Sequence, residues 1–199
     1  MSECTQEHPD WGVTNCDVSN ESDVKRLFEE ANTHLGGLDV LVNNAGIAGP
    51  TGGIDELSSD EWNQTVNINL NGQFYCAKLA VPLLKQSNNA SIICLSSVAG
   101  RLGYAYRTPY AATIWAIVVL VKSLAIELGP HSIRLNALLP GIIEGPRIEK
   151  VISARAEIIG VSYQEMESEY INKVSLRKMV TAQDVACLLY TSPSPRDRG

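Results

Sequence analysis

The stretch LDVLVNNAG, residues 38–46, decides the fold. Its first six residues, Leu38 to Asn43, are mostly leucine and valine, and apolar and polar residues do not alternate strictly along them. Such a run is typical of a parallel strand that is covered on both faces. The strand leads directly into the turn Asn44-Ala45-Gly46, so the stretch predicts a buried strand with a polar exit.

Further strands alternate with helical patterns along the chain. The predicted strands cover residues 91–97 (SIICLSS), residues 132–139 (SIRLNALL) and, as a shorter candidate, residues 11–18 (WGVTNCDV). Between them, apolar residues recur at helical spacing. This order predicts βαβ units with right-handed crossovers. The fold class is therefore α/β, a Rossmann-like parallel sheet with helices on both faces.

Start and stop signals bound the predicted helices. Residues 19–21 (SNE) cap a helix that Gly36-Gly37 ends, and residues 58–61 (SSDE) cap a longer one. Thr108 is the predicted N-cap of a third helix, with Pro109 at its first helical position. The polar segment 146–178 is predicted to be helical and to pass over an edge of the sheet.

In an open parallel sheet, ligands bind at the carboxyl ends of the strands. The residues that follow the predicted strands are therefore candidates for one crevice. They are Asp17, the turn 43–46, Ser97 and Pro140-Gly141.

Composition limits the classes of partner. A chain of 199 residues with 45% hydrophobic residues is one domain in size, and its net charge of -6 disfavours binding to nucleic acid. The longest apolar run, Ala111 to Val121, is shorter than the roughly 20 residues of a membrane span. The residues after Met1 lack the pattern of a secretory signal, so we expect a cytoplasmic protein without a membrane segment.

The sequence predicts no metal site. Its five cysteines and three histidines show no ligand spacing, and an odd number of cysteines disfavours a full disulfide framework. The cysteines are interpreted mostly as small buried hydrophobic residues.

Taken in order, several motifs strongly resemble the short-chain dehydrogenase/reductase family. The resemblance runs from about Trp11 to Ala186, and Tyr110 follows Ser97 by thirteen positions. The motifs are Asp17-Val18, NNAG at 43–46, Asn69 in VNINLNG, Ser97 in LSSVAG, Tyr110, and Pro140-Gly141.

The resemblance implies an oxidoreductase that interconverts a small secondary alcohol and a ketone with NAD or NADP. In that family the residue matching Tyr110 is the general acid/base, and the one matching Ser97 hydrogen-bonds the substrate oxygen. The resemblance implies that Asn69 anchors a proton-relay water. The parent protein is then expected to be a homo-dimer or homo-tetramer that pairs through helices near 60–85 and 109–128.

Cofactor contacts follow from the same resemblance. Asp17 and Val18 would contact the adenine, and Asn43, Ala45 and Gly46 the adenosine side. Tyr110 would also contact the cofactor. Residues Pro140, Gly141 and Ile143 would lie at the nicotinamide carboxamide, and the segment from Glu144 to about Arg177 would cover the substrate.

Each of these residues also has a purely structural interpretation. Asn69 could bond a helix backbone, Ser97 could be a strand-end turn residue, and Tyr110 a half-buried aromatic residue. The turn 43–46 could be an ordinary strand exit, and Asp17 a neighbour of a helix cap. A second group either approaches the substrate or forms a solvated loop: Arg101, Tyr104, Tyr106 and Arg107.

The chain departs from the family pattern at its start. The family opens with a strand, a TGxxxGxG turn and a helix that hold the pyrophosphate, and this sequence has no such segment. The resemblance therefore predicts a fragment that lacks the first βαβ unit and the last strand. The residue that selects NAD or NADP is then not readable.

The second departure lies beside Tyr110. The family motif Tyr-x-x-x-Lys is replaced by YAATI, residues 110–114. A cation beside a phenol lowers its pKa by about one to three units, and isoleucine carries no charge. We therefore predict negligible turnover, either in a damaged or misread copy of an enzyme or in a noncatalytic binding scaffold of the same fold.

The third departure is the end of the chain. Residues 187–197, CLLYTSPSPRD, resemble the translated sequence of a transposon adapter used for DNA libraries. The predicted domain is therefore 1–186, with 187–199 as a non-native tail. A truncated reading frame without function remains a further interpretation.

Overall fold

The computed structural model describes residues 8–190, without the side chain of Tyr190. Its sheet has three parallel strands in the order β1 (Val40–Asn43), β2 (Ser91–Leu95) and β3 (Arg134–Leu138). Val40 is opposite Ser91, and Ser91 is opposite Arg134, so the carboxyl ends of all three strands meet at one edge. The predicted α/β, Rossmann-like fold with a parallel sheet and flanking helices is confirmed.

Helices connect and flank the strands. The described α-helices are α1 (Glu21–Leu35), α2 (Ser59–Val66), α3 (Gly72–Leu84), α4 (Thr108–Leu128), α5 (Pro146–Ile159), α6 (Tyr163–Asn172) and α7 (Ala182–Tyr190). A π-helical turn at Asn67–Asn71 joins α2 to α3, and 3-10 turns lie at Val98–Gly100 and Gly129–His131.

The first two predicted helix starts are confirmed. The Asn20 side chain accepts hydrogen bonds from the N–H groups of Ser22 and Asp23, and Ser58 forms a reciprocal capping box with Glu61. The predicted stop at Gly36 is also observed, with a left-handed φ of 72°.

The predicted start of α4 is wrong by one residue. Arg107 is the N-cap, because its carbonyl already accepts the first helical bond from the N–H of Ala111. Thr108 is therefore the first helical residue, and no side chain caps the helix.

The core lies between the sheet and helices α3 and α4. Leu84, Ile92 and Ile117 are fully buried there. Within residues 8–190, one helical stretch, Thr108–His131, is long and apolar enough to cross a membrane by length and composition. A core helix of a globular domain meets the same criterion, and this one packs on β3.

Two details of the predicted sheet are wrong. Residues 11–18 form no strand, because no other described strand lies beside them to complete a ladder. Strand β1 is shorter than predicted and is not covered on both faces: Val40 and Val42 are 46% and 39% exposed, and no element among residues 8–190 covers them.

The last described helix, α7, extends into the stretch that resembles an adapter. It continues through Tyr190, and residues 191–199 lie outside the described part of the chain. The interpretation of 187–199 as a non-native tail remains a prediction.

Candidate active site

A cavity of about 290 Å³ lies at the carboxyl edge of the sheet. Its wall is formed by the loop after β1, the ends of β2 and β3, and the first turns of α4. The cavity brings together these predicted site residues: Ala45, Gly46, Asn69, Ser97, Tyr110, Pro140, Gly141 and Ile143.

Ser97 lies two residues beyond β2 with an extended backbone. Its Oγ accepts a hydrogen bond of 3.2 Å from the N–H of Ala99, which starts the 3-10 turn. Because this contact uses an oxygen lone pair, the hydroxyl proton can be donated into the cavity. Ser97 is therefore both the strand-end turn residue of the structural interpretation and a donor at the cavity wall.

Tyr110 reaches the same cavity from the first turn of α4. It is partly buried, as its structural interpretation also predicts. Ile114 lies one helical turn further along, is 5% exposed and also lines the cavity. A side chain at position 114 therefore faces the same space as the phenol, and here that side chain is apolar.

Asn69 lies in the π-helical turn between α2 and α3 and is 2% exposed. Its Oδ1 accepts from the N–H of Ile47 at 2.7 Å, and its Nδ2 donates to the Ile47 carbonyl and to Thr113 Oγ1. These bonds tie the loop after β1 to the start of α4. A Cβ at Gly46 would lie 3.2 Å from Asn69 Oδ1, so glycine permits this close approach.

Asn43 lies outside the cavity wall, and its contact with the adenosine side of the cofactor remains a prediction. The side chain is buried, and its Nδ2 donates to the Gln73 carbonyl at 3.2 Å and to Cys94 Sγ at 3.7 Å. Successive side chains of a strand point to opposite faces, and Asn43, the last residue of β1, points towards α3. The side chain of Asn43 therefore joins β1 to α3.

Replacing Asn43 with alanine is therefore expected to lower stability rather than cofactor affinity. Loss of its two buried bonds should reduce the free energy of unfolding by about 1–3 kcal/mol. Denaturant titration measures this loss, and cofactor affinity should change less than about threefold. Asn44→Ala is the matched control, because Asn44 is exposed and lines the cavity; the assignment is wrong if Asn43→Ala weakens cofactor binding more than Asn44→Ala does.

Asp17 and Val18 also lie outside the cavity wall. Asp17 is exposed, and the hydroxyl and backbone N–H of Ser19 donate to its carboxylate and lower its pKa. Val18 packs against α3, where its side chain and carbonyl would collide with a Cβ at Gly72. Their contact with an adenine remains a prediction.

Several cavity residues were missed or left open by sequence reasoning. Gln73 is 4% exposed, donates from Nε2 to the Leu95 carbonyl, and has an Oε1 without a partner. For four residues the sequence did not decide between a substrate contact and a solvated loop. Of these, Tyr104 and Arg107 line the cavity wall, whereas Arg101 and Tyr106 do not. No local pattern distinguishes these pairs, because only the folded loop orients them.

Arg107 is the most unusual residue of the wall. It is 3% exposed, donates from one Nη to the Ala48 carbonyl at 2.6 Å, and places its guanidinium carbon 4.8 Å from the centroid of the Tyr110 ring. Burial lowers the pKa of this guanidinium. The site thus has one cation beside Tyr110, though not at position 114.

Among residues 8–190, no cysteine lines the cavity. Burial raises the pKa values of Cys76 and Cys94 to about 11, so both are neutral thiols near pH 7. Within residues 8–190, no three histidine, cysteine, aspartate or glutamate side chains lie close enough to hold a metal ion.

Comparison with known proteins identifies the family. A family model described as enoyl-(acyl carrier protein) reductase matches residues 1–191. The chain belongs to the short-chain dehydrogenase/reductase family. A 3beta-hydroxysteroid dehydrogenase of Mediterraneibacter gnavus is 38% identical over 156 residues, which are 76% of this chain and 56% of the relative.

Other short-chain dehydrogenases show a similar match. A trans-4-hydroxycyclohexanecarboxylate dehydrogenase of Sinomonas cyclohexanicum is 45% identical over 112 residues, 56% of this chain and 42% of the relative. The crystal structure of sorbitol-6-phosphate 2-dehydrogenase from Erwinia amylovora superimposes with a TM-score of 0.85 and 26% identity, covering 92% of this chain and 72% of that one.

A short-chain dehydrogenase structure with bound cofactor is also similar. NAD+-bound xylitol dehydrogenase has a TM-score of 0.83 and 25% identity, covering 88% of this chain and 69% of that one. The chain spans about half the length of the curated relatives named above.

Proposed function

We propose that the protein is an NAD(P)-dependent oxidoreductase that interconverts a secondary alcohol and a ketone by hydride transfer, and that it is impaired as written by Ile114. One observation carries the proposal: the Ser97 hydroxyl, the Tyr110 phenol and the loop Pro140–Ile143 line a single cavity at the carboxyl edge of a parallel sheet. In the family, the tyrosine of that arrangement donates the proton, the serine donates a hydrogen bond to the substrate carbonyl, and the loop contacts the nicotinamide.

The cavity wall fits the nicotinamide half of a dinucleotide. Gln73 Oε1 is a buried acceptor without a partner, which a ligand hydroxyl or amide could satisfy. The exposed loop around Gly141 leaves open space, since a Cβ there would meet no atom within 4 Å. The misfit is Ile114, which offers no hydrogen bond to a ribose.

In the proposed reaction, the chain's own residues would have the following roles. Ser97 donates a hydrogen bond from its hydroxyl to the carbonyl oxygen of the substrate and fixes its position, while its proton stays on the serine. Tyr110 transfers its phenolic proton to the same oxygen during reduction and takes it back during oxidation. Asn69 holds Ile47 and Thr113 in place, and the nicotinamide, when bound, supplies or accepts the hydride.

A noncatalytic binding scaffold is the second candidate function, and Ile114 favours it. The residue is buried at the position where a cation would face the phenol, and it packs among the apolar residues of the core. An active enzyme differs from the scaffold by predicting that lysine at 114 creates turnover.

The relatives leave the substrate and the choice of cofactor open. One is named for a steroid and another for a hydroxylated carboxylate, and the xylitol dehydrogenase carries NAD+. For this chain we propose a small-molecule alcohol or ketone, with NAD or NADP, in the cytoplasm.

We further propose a homo-dimer or homo-tetramer for the parent protein. Apolar side chains on the outer faces of α3 and α4 support this: Phe74, Trp115, Val119 and Ile126 are all exposed. These are the helices through which the resemblance predicts pairing.

The proposed cofactor site is tested by titrating the protein with NADH and with NADPH, following nicotinamide fluorescence. Gly141→Leu should weaken binding of the preferred cofactor by about tenfold or more, because the new side chain would occupy the open cavity. Gly103→Leu is the matched control: a Cβ there also meets no atom, but Gly103 lies outside the cavity. Equal affinity in both variants, or no binding of either cofactor, would refute the site.

A further inference from the structure

The cavity wall contains a buried cation without a counter-ion. One N–H of Arg107, at Nε, is buried and has no partner, and Arg107 lines the cavity. Within the described part of the chain, no ion pair is formed by Arg107. A buried charge is costly unless an opposite charge or hydrogen bonds compensate it, and the Ala48 carbonyl uses only one of the five donors of this guanidinium.

Other groups around Arg107 do not provide the missing charge. Tyr104 and Tyr170 bring phenols and not carboxylates to this place, and burial, followed by the neighbouring Tyr170, raises the pKa of Tyr104. Behind them, Arg155 is a second buried cation whose Nη donates to the Tyr170 hydroxyl at 3.1 Å and whose Nε is also unpartnered. Among the described residues, the charged neighbour that acts on Arg107 is Arg147 and not a carboxylate, whereas Glu169, the carboxylate near Arg155, forms an ion pair with Lys173.

The mouth of the cavity also contains an arginine. Arg147 lines it and donates to the Gly46 carbonyl at 3.1 Å. Among the described residues that line the cavity, Glu144 is the one carboxylate, and it is exposed on the loop after β3. A chain with a net charge of -6 thus presents arginines at its cavity.

We infer that Arg107 forms a subsite for a carboxylate group, and that the substrate is a short hydroxy or oxo acid. The inference rests on the proposed function, because Tyr110 marks where the reacting carbonyl lies. Arg107 precedes Tyr110 by three residues and lies over its ring, so the acid group is held within a few bonds of the carbon that is reduced. A guanidinium can bind a carboxylate through two parallel hydrogen bonds, which also fixes the orientation of the substrate.

The test compares the binding affinity of acids with that of their neutral esters. A binding measurement requires no turnover. The probes are 3-hydroxybutyrate and 4-oxopentanoate, each with its methyl ester, titrated in ligand-observed NMR with saturating NADH or NADPH and again without cofactor. At least one acid should bind about tenfold or more tighter than its ester. Arg107→Gln should reduce this preference to within about threefold, and Arg107→Lys should retain part of it.

Arg26→Gln is the matched control, since Arg26 is an exposed arginine of α1 outside the cavity, and it should keep the full preference. Thermal melts show whether each variant is folded, and the comparison in the unmodified protein stands even if Arg107→Gln does not fold. Equal binding of acids and esters, or binding of neither, overturns the carboxylate subsite. Cofactor binding without acid preference leaves the proposed function standing, whereas acid preference without cofactor binding refutes the proposed function alone.

Discussion

Replacing Ile114 with lysine is expected to raise kcat/KM for carbonyl-dependent oxidation of NADH or NADPH by about a hundredfold or more. Ile114 lines the cavity one helical turn from Tyr110, so a lysine there can extend its ammonium group into the space that the phenol faces. A cation in that place stabilises the phenolate form during proton transfer and can bond a ribose. A gain of about 3 kcal/mol in transition-state stabilisation corresponds to the stated factor.

The experiment measures steady-state turnover in the full product of the gene, with a panel of small ketones and oxo acids. Ile114→Met is the matched control, because it has a similar length without charge and should stay at the level of the unmodified protein. If the isoleucine form turns over as fast as the lysine form, the proposed effect of Ile114 is wrong. If neither turns over although the cofactor binds, the noncatalytic scaffold is favoured.

Replacing Asn69 with alanine is expected to lower the free energy of unfolding by about 3 kcal/mol. The substitution leaves the N–H and carbonyl of Ile47 without their side-chain partner and removes one bond to Thr113. Each buried group left unsatisfied costs about 1–3 kcal/mol. For a chain of this size the melting temperature should fall by roughly 6–12 °C, which differential scanning calorimetry measures directly.

Asn71→Ala provides the control on the same π-helical turn. The side chain of Asn71 donates to Oδ1 of the exposed Asn67, so its loss should cost less than about 0.5 kcal/mol. A similar melting temperature for both variants would show that the buried bonds of Asn69 do not hold the loop after β1. A large loss for Asn69 alone establishes a positioning role that is independent of any relay water.

The parts of the fold that depend on local chemistry were predictable from the sequence. The cap at Asn20, the capping box at Ser58 and the left-handed stop at Gly36 all form within a few residues. The parallel order of the three strands also follows from their apolar runs and the helices between them. Residues 11–18 fail as a strand because a ladder needs a partner, which a local pattern cannot supply.

The candidate site was predictable to the extent that it depends on strand ends. The loops after the three strands converge because parallel strands end at one edge, and this places Gly46, Ser97 and Gly141 around one cavity. The buried bond of Asn43 to α3 was not predictable, because it results from the alternation along β1, which the motif NNAG does not reveal. The burial of Arg107 was not predictable, because it results from the meeting of its loop with Ala48 and with α6.

The most direct test of the account is the effect of Tyr110→Phe in the Ile114→Lys background. The phenylalanine keeps the ring against Arg107 and removes only the hydroxyl, so cofactor affinity should change by less than about threefold. If Tyr110 transfers the proton, kcat should fall by about a thousandfold, within the range of general acid–base contributions. An unchanged kcat would contradict the assignment of Tyr110 as the acid/base, and with it the proposed reaction at this cavity.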